Sequence, residues 1–546
     1  MLRELADKVL NISIVRLYIP IFIICFFLIL LIPGWVKTRW NPYNKKILTI
    51  ASYTLIANYI FLLILYASHS NFFDHVEANV ASVSWLSQIG KPIYHRLDSS
   101  ERYSVGYGPV LYLINGFFLN LMSPNIFSAK LPGILAVVLS LVFIFFTLKK
   151  SASPRIVTLC VAYITLNFIS FDYHYAAATF WARADPLILM FVSLALLGVT
   201  SSNSRLAILL SALSLGISVN LKIHAFFYFL PIYILLYSQY GIYSTLVSIL
   251  GSLALAIAPF LLVPIVSLQN YIVWLRELGN HGISIDLLRR NFFWAIYLLA
   301  PIILLSIYFR YFHKRKFQQF VYQHIKFIAS LLISLGAVVV IGSNIGAGMN
   351  HLIPFYPVLS YLFVILLSQL NTVNEPDRVT SINKYYYSAF ISLIVALFIL
   401  AFLRGVLNEA RFLALSRKYG ANPVNEIHTI LKAYPGTTIG MGYGANYDLT
   451  FYRPVLVFSG NPYLIDAVFE MDAEFLGIKI PSTTLESLSS CQTKIWLIPK
   501  GDSPFQLSNY YNQNQVFSDE LRATFLETYE RRRQTNYYDL WVCKKD

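Results

Sequence analysis

Two acidic residues, Asp74 and Glu77, lie in the first long polar segment of the chain, directly after a run of apolar residues. Their spacing places them about one helical turn apart, so both side chains can face one cavity. A carboxylate within hydrogen-bond distance of a hydroxyl group can act as its general base. The alternative interpretation is a solvated loop residue or a helix cap, which is a common use of an acidic residue at a helix end.

Basic residues that could hold an anion come later in the chain. Arg183 precedes Asp185 in the run WARADPL, Lys222 lies in NLKIHAF, and Arg289 and Arg290 are adjacent. A phosphate that leaves during a reaction needs such positive charge and no general acid. The alternatives are an ion pair between Arg183 and Asp185, a helix anchor at Lys222, and a helix end at the arginine pair.

The composition places these residues in a membrane protein. Of the 546 residues, 57% are hydrophobic and only 13% are charged, whereas soluble domains carry about 25% charged residues. The net charge of +15 comes from short Lys and Arg clusters between apolar runs. Such clusters orient membrane helices and contact anionic lipid headgroups, so membrane lipids are expected partners and nucleic acid is not.

A helix needs about 20 apolar residues to cross a bilayer, and the sequence contains about twelve such runs. They cover residues 17–35, 47–67, 129–148, 156–170, 186–200, 206–221, 225–237, 242–266, 292–309, 327–341, 352–370 and 386–403. The runs 156–170 and 225–237 are short, which predicts helices that stop part-way and leave a polar cavity.

Basic clusters predict the orientation of these runs. They follow the first, third and ninth runs, and all three positions fall on one side of the membrane. The positive-inside rule makes that side cytoplasmic. The outer side then receives residues 68–130, 171–185, 267–290 and 342–351, together with the region after 404. Asp74 and the basic residues named above therefore share one face.

Residues 405–546 form a second predicted domain after a membrane domain of residues 1–404. The strand-like runs TTIGMG, PVLVF, KIWLIP and YDLWVC occur there with the helix-like runs NEIHTILKAY and DELRATFLETYERRRQ. This pattern predicts a small α/β domain. Cys491 and Cys543 each lie beside a strand-like run, so they could pair if the domain is extracytoplasmic. The alternative is two unrelated free thiols.

The histidines His75, His174, His281 and His351 all fall on the outer side. Their spacing matches no metal-ligand motif, so no metal and no cofactor is expected, with a divalent ion left open as an alternative. Aromatic residues near the outer loops, such as Tyr107, are candidates for stacking on a sugar.

The first outer loop resembles that of GT-C type integral membrane glycosyltransferases, which include the protein mannosyltransferases and the lipid A aminoarabinose transferase. The resemblance rests on the acidic pair, an amphipathic helical stretch over 76–86, and then GKPIY and YGPVLYL. Many members have adjacent acidic residues, whereas Asp74 and Glu77 are separated here. Asp74 is favoured for the catalytic role because it lies closer to the end of the preceding helix.

Further similar motifs follow in the family's order over residues 47–370. Arg183 and Asp185 open a later span, Lys222 lies at an outer helix end, and Asn350 and His351 follow a glycine-rich turn in GAGMNHLIPFYP. By resemblance, these residues are expected to line the site.

The resemblance implies an α-helical polytopic, GT-C-like fold in a bacterial inner or plasma membrane. It also implies an inverting hexosyltransferase that uses a polyprenyl-phosphate sugar donor and a glycan, lipid or protein acceptor on the outer face. Asp74 or Glu77 would be the base. The expected substrate-binding residues are Arg183, Asp185, Lys222, Arg289, Arg290, Asn350, His351 and Tyr107. The alternative function is a transporter or flippase of lipid-linked saccharides, although no internal repeat is visible and the polar residues gather at the outer rim.

Overall fold

The structure is a computed structural model that describes residues 42–170, 177–371, 381–418 and 420–545. The predicted first span at 17–35 and His174 lie outside the described residues. Lys37 and Arg39, which belong to the basic cluster after the first predicted run, also lie outside the described residues.

Long apolar helices dominate the described residues from Pro42 to Ser416. In chain order the described helices are α1 (Pro42–Ser68), α2 (His75–Gln88), α3 (Pro109–Leu121), α4 (Ile126–Lys149), α5 (Pro154–Ser170), α6 (Ala184–Val199), α7 (Ser204–Val219), α8 (Phe226–Leu262), α9 (Leu268–Gly279), α10 (Ile285–Phe312), α11 (Lys314–Ile341), α12 (Tyr356–Asn371) and α13 (Ser381–Ser416). Short 3-10 helices at Ile223–Ala225 and Met349–Phe355 precede α8 and α12.

Six segments of the described chain are long and apolar enough to cross a membrane. They are Thr49–Ser68, Ile126–Lys149, Ile223–Leu262, Ile285–Phe312, Lys314–Ile341 and Met349–Gln369. The shorter helices α3, α5, α6 and α7 are also apolar. The chain is therefore an integral membrane protein built mainly of helices, and the number of twelve spans stays a prediction.

The helix α8 reverses direction at Gly241, where φ is 80° and the backbone leaves the helical region. The Tyr233 hydroxyl lies 2.9 Å from the hydroxyls of both Ser248 and Ser252. A straight helix would separate Tyr233 from Ser248 by about 22 Å, because each residue adds 1.5 Å. Glycine adopts this positive φ without steric cost. The two predicted runs 225–237 and 242–266 thus form two packed arms.

The helix α13 continues through residue 404, the predicted end of the membrane domain, and ends at Ser416; the boundary itself stays a prediction. The elements of the C-terminal domain follow this helix. Its helices are α14 (Asn422–Ala433), α15 (Arg453–Phe458), α16 (Ala467–Phe475), α17 (Ser482–Ser489) and α18 (Asp519–Thr528). Its strands are β1 (Ile439–Met441), β2 (Ile495–Pro499), β3 (Tyr529–Gln534) and β4 (Tyr538–Cys543). They form one sheet in the order β1-β2-β4-β3, in which β1 and β2 are parallel and the other pairs are antiparallel.

Two sequence predictions for this domain are wrong. The run PVLVF, expected as a strand, lies in the short helix α15 with Pro454 in its first turn, a position that suits proline. The final part of DELRATFLETYERRRQ, expected as a helix, is the strand β3. Tyr529 is buried and β3 pairs with β4, so tertiary pairing overrides the local helix propensity.

The C-terminal domain covers the first outer loop. Its helix α15 packs on α2, and both contribute to one hydrophobic cluster that includes Ala78, Ala81, Val455 and Leu456. The residues from Val76 to Ser84 are all buried. The amphipathic stretch predicted over 76–86 is therefore a helix that the C-terminal domain covers.

Cys491 and Cys543 form a disulfide with their Cα atoms 6.1 Å apart. The sequence left open a disulfide or two free thiols, and the structure has the disulfide. The bond joins the turn before β2 to the end of β4.

Candidate active site

Asp74 occupies the N-cap of α2. One of its carboxylate oxygens accepts a hydrogen bond of 2.7 Å from the backbone N–H of Val76. The cap arises because the first N–H groups of a helix have no partner within it. The same oxygen lies 3.4 Å from Nη1 of Arg183. The residue is only 2% exposed, so this pair is shielded from bulk water.

Arg183 is fixed by contacts on several sides. Its Nε donates to the Tyr107 hydroxyl at 3.0 Å, and its guanidinium carbon lies 4.0 Å from the centre of the Trp181 ring. The side chain is 11% exposed. Stacking and a directed hydrogen bond use the planar shape of arginine, which lysine lacks. Arg183 therefore presents a held positive charge beside Asp74.

Lys222 and Asp185 form a second ion pair next to the first. The Lys222 ammonium lies 2.6 Å from an oxygen of Asp185 and 5.5 Å from the centre of the Tyr107 ring. The other Asp185 oxygen has no hydrogen-bond partner among the described residues. Tyr107 thus contacts both cations, and the two pairs form one cluster.

A close backbone contact brings Tyr107 to Lys222. The N–H of Gly108 donates to the carbonyl of Leu221 at 3.0 Å. A Cβ atom at position 108 would lie 2.0 Å from the carbonyl oxygen of Asn220, so only glycine fits there without movement. The first outer loop and the segment before α8 are therefore in direct contact at the cluster.

Glu77 has a different environment from Asp74. It is fully buried, and its carboxylate accepts hydrogen bonds from the Tyr66 hydroxyl, the Phe73 N–H at 3.0 Å and the Ala182 N–H at 2.9 Å. Burial raises the pKa of this carboxyl above its ordinary value. Glu77 joins the end of α1 to the residue before Arg183, so its contacts are those of a positioning group.

Asn350 and His351 lie at the edge of the cluster. His351 interacts electrostatically with Lys222 and Asp185, and its Nδ1 donates to the carbonyl of Gly348 at 2.9 Å. Asn350 is 2% exposed, and its side-chain NH₂ group has no partner among the described residues. A buried donor of this kind usually binds something, and a ligand oxygen would satisfy it.

The arginine pair 289–290 does not join this group. Arg289 is exposed on α10 and lies 3.3 Å from the exposed Asp286, and Arg290 is exposed beside it. The structure thus brings together Asp74, Tyr107, Arg183, Asp185, Lys222 and His351, with the buried Asn350 next to His351 in the chain.

Two further residues contribute that the sequence patterns did not indicate. The Lys130 ammonium is buried and donates to the carbonyls of Tyr66 and His69 at 2.9 and 2.8 Å. In the sequence Lys130 is a single charged residue in an otherwise apolar run, and this feature could have identified it. The centre of the His224 ring lies 4.9 Å from that of the His351 ring. In the sequence, only its position two residues after Lys222 could have indicated that His224 lies near the site.

A metal site is not evident in the described part of the chain, where no three His, Cys, Asp or Glu side chains are grouped to hold an ion. The expectation that no cofactor is needed stays a prediction.

The fold is that of the GT-C type integral membrane glycosyltransferases, which confirms the fold implied by the sequence resemblance. The chain is similar to the crystal structure of ArnT from Cupriavidus metallidurans bound to undecaprenyl phosphate. That similarity has a TM-score of 0.50 and 12% identity, and it covers 90% of this chain and 97% of that one.

More distant similarity extends to other solved structures. The Archaeoglobus fulgidus oligosaccharyltransferase in the apo form has a TM-score of 0.41 and 11% identity over 85% of this chain and 70% of that one. Arabinosyltransferase EmbB from Mycobacterium smegmatis has a TM-score of 0.37 and 9% identity over 80% and 45%. No protein-family profile and no curated protein matches the sequence.

Proposed function

We propose that the chain is a membrane glycosyltransferase that moves a sugar from a polyprenyl-phosphate carrier to an acceptor hydroxyl on the outer face of the membrane. The observation that carries this proposal is the ion pair of Asp74 and Arg183, 3.4 Å apart, in one cluster with Lys222. It places a candidate base beside candidate phosphate ligands. The shared fold supports it, because the similar ArnT structure holds undecaprenyl phosphate.

The reaction needs one base and a stabilised leaving group. The acceptor oxygen attacks the anomeric carbon while Asp74 takes the hydroxyl proton. The bond from that carbon to the phosphate oxygen breaks, and the phosphate leaves with the electron pair. Arg183 and Lys222 stabilise its charge. A single displacement inverts the anomeric configuration and requires only one carboxylate to act as base.

The ion pair also suggests how the base is controlled. A phosphate bound to Arg183 would compete with Asp74 for the guanidinium, because charge-assisted hydrogen bonds to phosphate are strong. Asp74 would then be free to approach the acceptor hydroxyl. In this scheme Asp185 holds Lys222, Glu77 positions the loop, and Arg289 and Arg290 have no role.

The orientation and the acceptor belong to the same proposal. The disulfide of Cys491 and Cys543 suits an oxidising compartment, which supports an extracytoplasmic C-terminal domain and an outer-face site. The acceptor would be a glycan, lipid or protein of the cell envelope, and the membrane a bacterial inner or plasma membrane.

The test is the Asp74→Asn variant, which keeps size and removes the basic oxygen. We expect transfer from a panel of radiolabelled undecaprenyl-phosphate sugars to fall at least about a hundredfold, the usual contribution of a general base. The thermal shift caused by undecaprenyl phosphate should persist. Asp286→Asn, at an exposed position outside the cluster, is the matched control and should keep full activity.

Full activity of Asp74→Asn would remove this residue from the mechanism. Movement of the labelled carrier between leaflets without a new glycosidic bond would instead favour the transporter hypothesis.

A further inference from the structure

An open cleft of about 520 Å³ lies between the first outer loop and the segment that follows α8. It is separate from the charged cluster, because the two share no lining residue. Side chains and backbone from both segments line it, including Tyr94, Asp98, Ser99, Pro264, Ser267 and Asn270.

The two walls of the cleft are tied together by hydrogen bonds. The N–H of Ile93 donates to the carbonyl of Ile265 at 3.2 Å. Asn270 donates from its side chain to the carbonyl of Tyr94 at 3.1 Å, and the Trp274 indole donates to the carbonyl of His95 at 3.0 Å. A ligand would therefore find a cleft that is already formed, which lowers the entropic cost of binding.

Charges around the cleft are neutralised locally. Arg96 makes two hydrogen bonds of 3.0 and 2.8 Å to the carboxylate of Asp98. Outside the cleft, Lys91 lies 3.8 Å from Glu101. Burial lowers the pKa of His95 below its ordinary value, so this ring is neutral at pH 7. The cleft thus offers no net charge to an ionic ligand, and electrostatic complementarity favours a neutral one.

The lining combines two kinds of surface. Asp98, Ser99 and Asn270 carry oxygen and nitrogen atoms that can accept from or donate to hydroxyl groups. Pro92, Pro264 and Ile265 supply apolar surface. A sugar ring presents hydroxyl groups at its edge and C–H groups on its faces, so it can satisfy both surfaces at once. Small-molecule sites typically combine an apolar wall with a small number of precisely placed polar groups.

The cleft borders the charged cluster through one pair of residues. The Tyr94 hydroxyl donates to the carbonyl of Tyr107 at 2.6 Å, and the Tyr107 hydroxyl accepts from Arg183. We infer that this cleft is the acceptor subsite and that the acceptor is a neutral glycan, an assignment that rests on the proposed function. The cleft would hold a sugar ring of the acceptor that is distant from its reacting hydroxyl, because the buried Tyr94 separates the cleft from Arg183.

The test measures glycan binding directly, without transfer. Saturation-transfer NMR on the full chain in detergent would use the methyl glycosides of glucose, galactose, mannose and N-acetylglucosamine, with glucose 1-phosphate as the charged comparison. Ser99→Trp fills the cleft from a partly exposed position. Ser202→Trp, in the exposed turn between α6 and α7, is the matched control. Asp74→Asn is measured alongside.

We expect at least one neutral glycoside to bind, with its signal reduced at least tenfold in Ser99→Trp and unchanged in Ser202→Trp and Asp74→Asn. Glucose 1-phosphate should bind more weakly. The inference is overturned if no neutral glycoside binds, if Ser99→Trp binds as well as the unmodified chain, or if the phosphate ester binds best. Glycoside binding without any Asp74-dependent transfer would instead overturn the proposed function and leave the cleft as a glycan site.

Discussion

Arg183 makes contacts that depend on its shape as well as its charge. Its guanidinium stacks on Trp181 and donates to Tyr107 while facing Asp74. Lysine would keep the charge but could neither stack in the same way nor make the directed Nε–H bond. Replacing Arg183 by lysine can therefore separate the effect of the side chain's shape from the effect of its charge.

We predict that Arg183→Lys lowers transfer about tenfold to a hundredfold, mainly by raising KM for the polyprenyl-phosphate donor. The reason is that a displaced ammonium still attracts phosphate but holds it in the wrong place. Steady-state kinetics with varied donor concentration measure the effect. Arg290→Lys is the matched control and should behave as the unmodified chain, because Arg290 is exposed and lies outside the cluster. Equal kinetics for both variants would contradict a specific role for Arg183.

Individual site residues differ in how well the sequence predicts their place. Asp74, Arg183 and Lys222 each lie at the end of an apolar run, so their common face follows from counting runs and basic clusters. The burial of Glu77 does not follow, because its partner N–H belongs to Ala182, 105 positions away. The place of Lys130 cannot be predicted for the same reason, because its carbonyl partners come from the end of a different helix.

Two buried arginines join the C-terminal domain to the first outer loop, one from each side. Arg453 is buried, lies 2.7 Å from Asp466 and donates to the carbonyl of His75 at 2.7 Å. Arg102 of the loop is also buried and forms an ion pair with Glu470 of the domain. Since His75 is the first residue of α2, the domain holds the end of the helix that Asp74 caps. Such contacts over more than 360 positions leave no local pattern in a sequence.

A second contact of this domain should depend on pH. Burial raises the pKa of Asp472 to about 6 from 3.8, and nearby Asp466 acts in the same direction. His281, 3.9 Å away, and Tyr511, which donates to Asp472 at 3.2 Å, oppose the shift. Below pH 4 the carboxyl is protonated whether folded or unfolded. Between pH 4 and 6 only the folded state keeps the proton, so stability falls as pH rises.

We predict that Asp472→Asn reduces the loss of stability that accompanies the rise in pH. Relative to the unmodified chain, the variant should be more stable at pH 7 than at pH 4, by at most about 3 kcal/mol, which corresponds to the pKa change. Thermal unfolding in detergent at both pH values measures it. Asp519→Asn, on an exposed helix end, is the control and should not alter the pH profile. A profile unchanged in Asp472→Asn would show that this carboxyl titrates normally.

Elements with strong periodicity are predicted well, and those held by tertiary contacts are not. The apolar runs that lie within the described residues correspond to helices, because lipid requires every backbone group to bond within its own segment. The strand-like run at 454–458 has no such constraint, and it becomes a helix that packs on α2.

The C-terminal domain contacts several outer segments of the chain. Trp274 of α9 packs against Phe469 with ring centres 4.4 Å apart, and Tyr511 lies against Gly346 in the turn before α12. Together with the contacts to α2, these place the domain over the end of the helical bundle that carries the charged cluster. The side of the membrane on which the domain lies is therefore also the side of the proposed chemistry.

Single cysteines can decide that side. In a Cys25→Ser and Cys160→Ser background that keeps the disulfide, Lys500→Cys adds a thiol at an exposed position of the C-terminal domain. Ser202→Cys adds one at the predicted cytoplasmic end, in the turn between α6 and α7. We predict that a membrane-impermeant maleimide applied to intact cells labels Lys500→Cys fully, and labels Ser202→Cys only after permeabilisation.

The expectation follows from the basic clusters, which predict that one end of the bundle is cytoplasmic, and from the disulfide, which suits an oxidising compartment. Gel mobility after labelling reads out both variants, and the pair controls for thiol accessibility in general. The reverse pattern would place the charged cluster in the cytoplasm. Transfer to an acceptor on the outer face would then be impossible without a separate step that moves the product across.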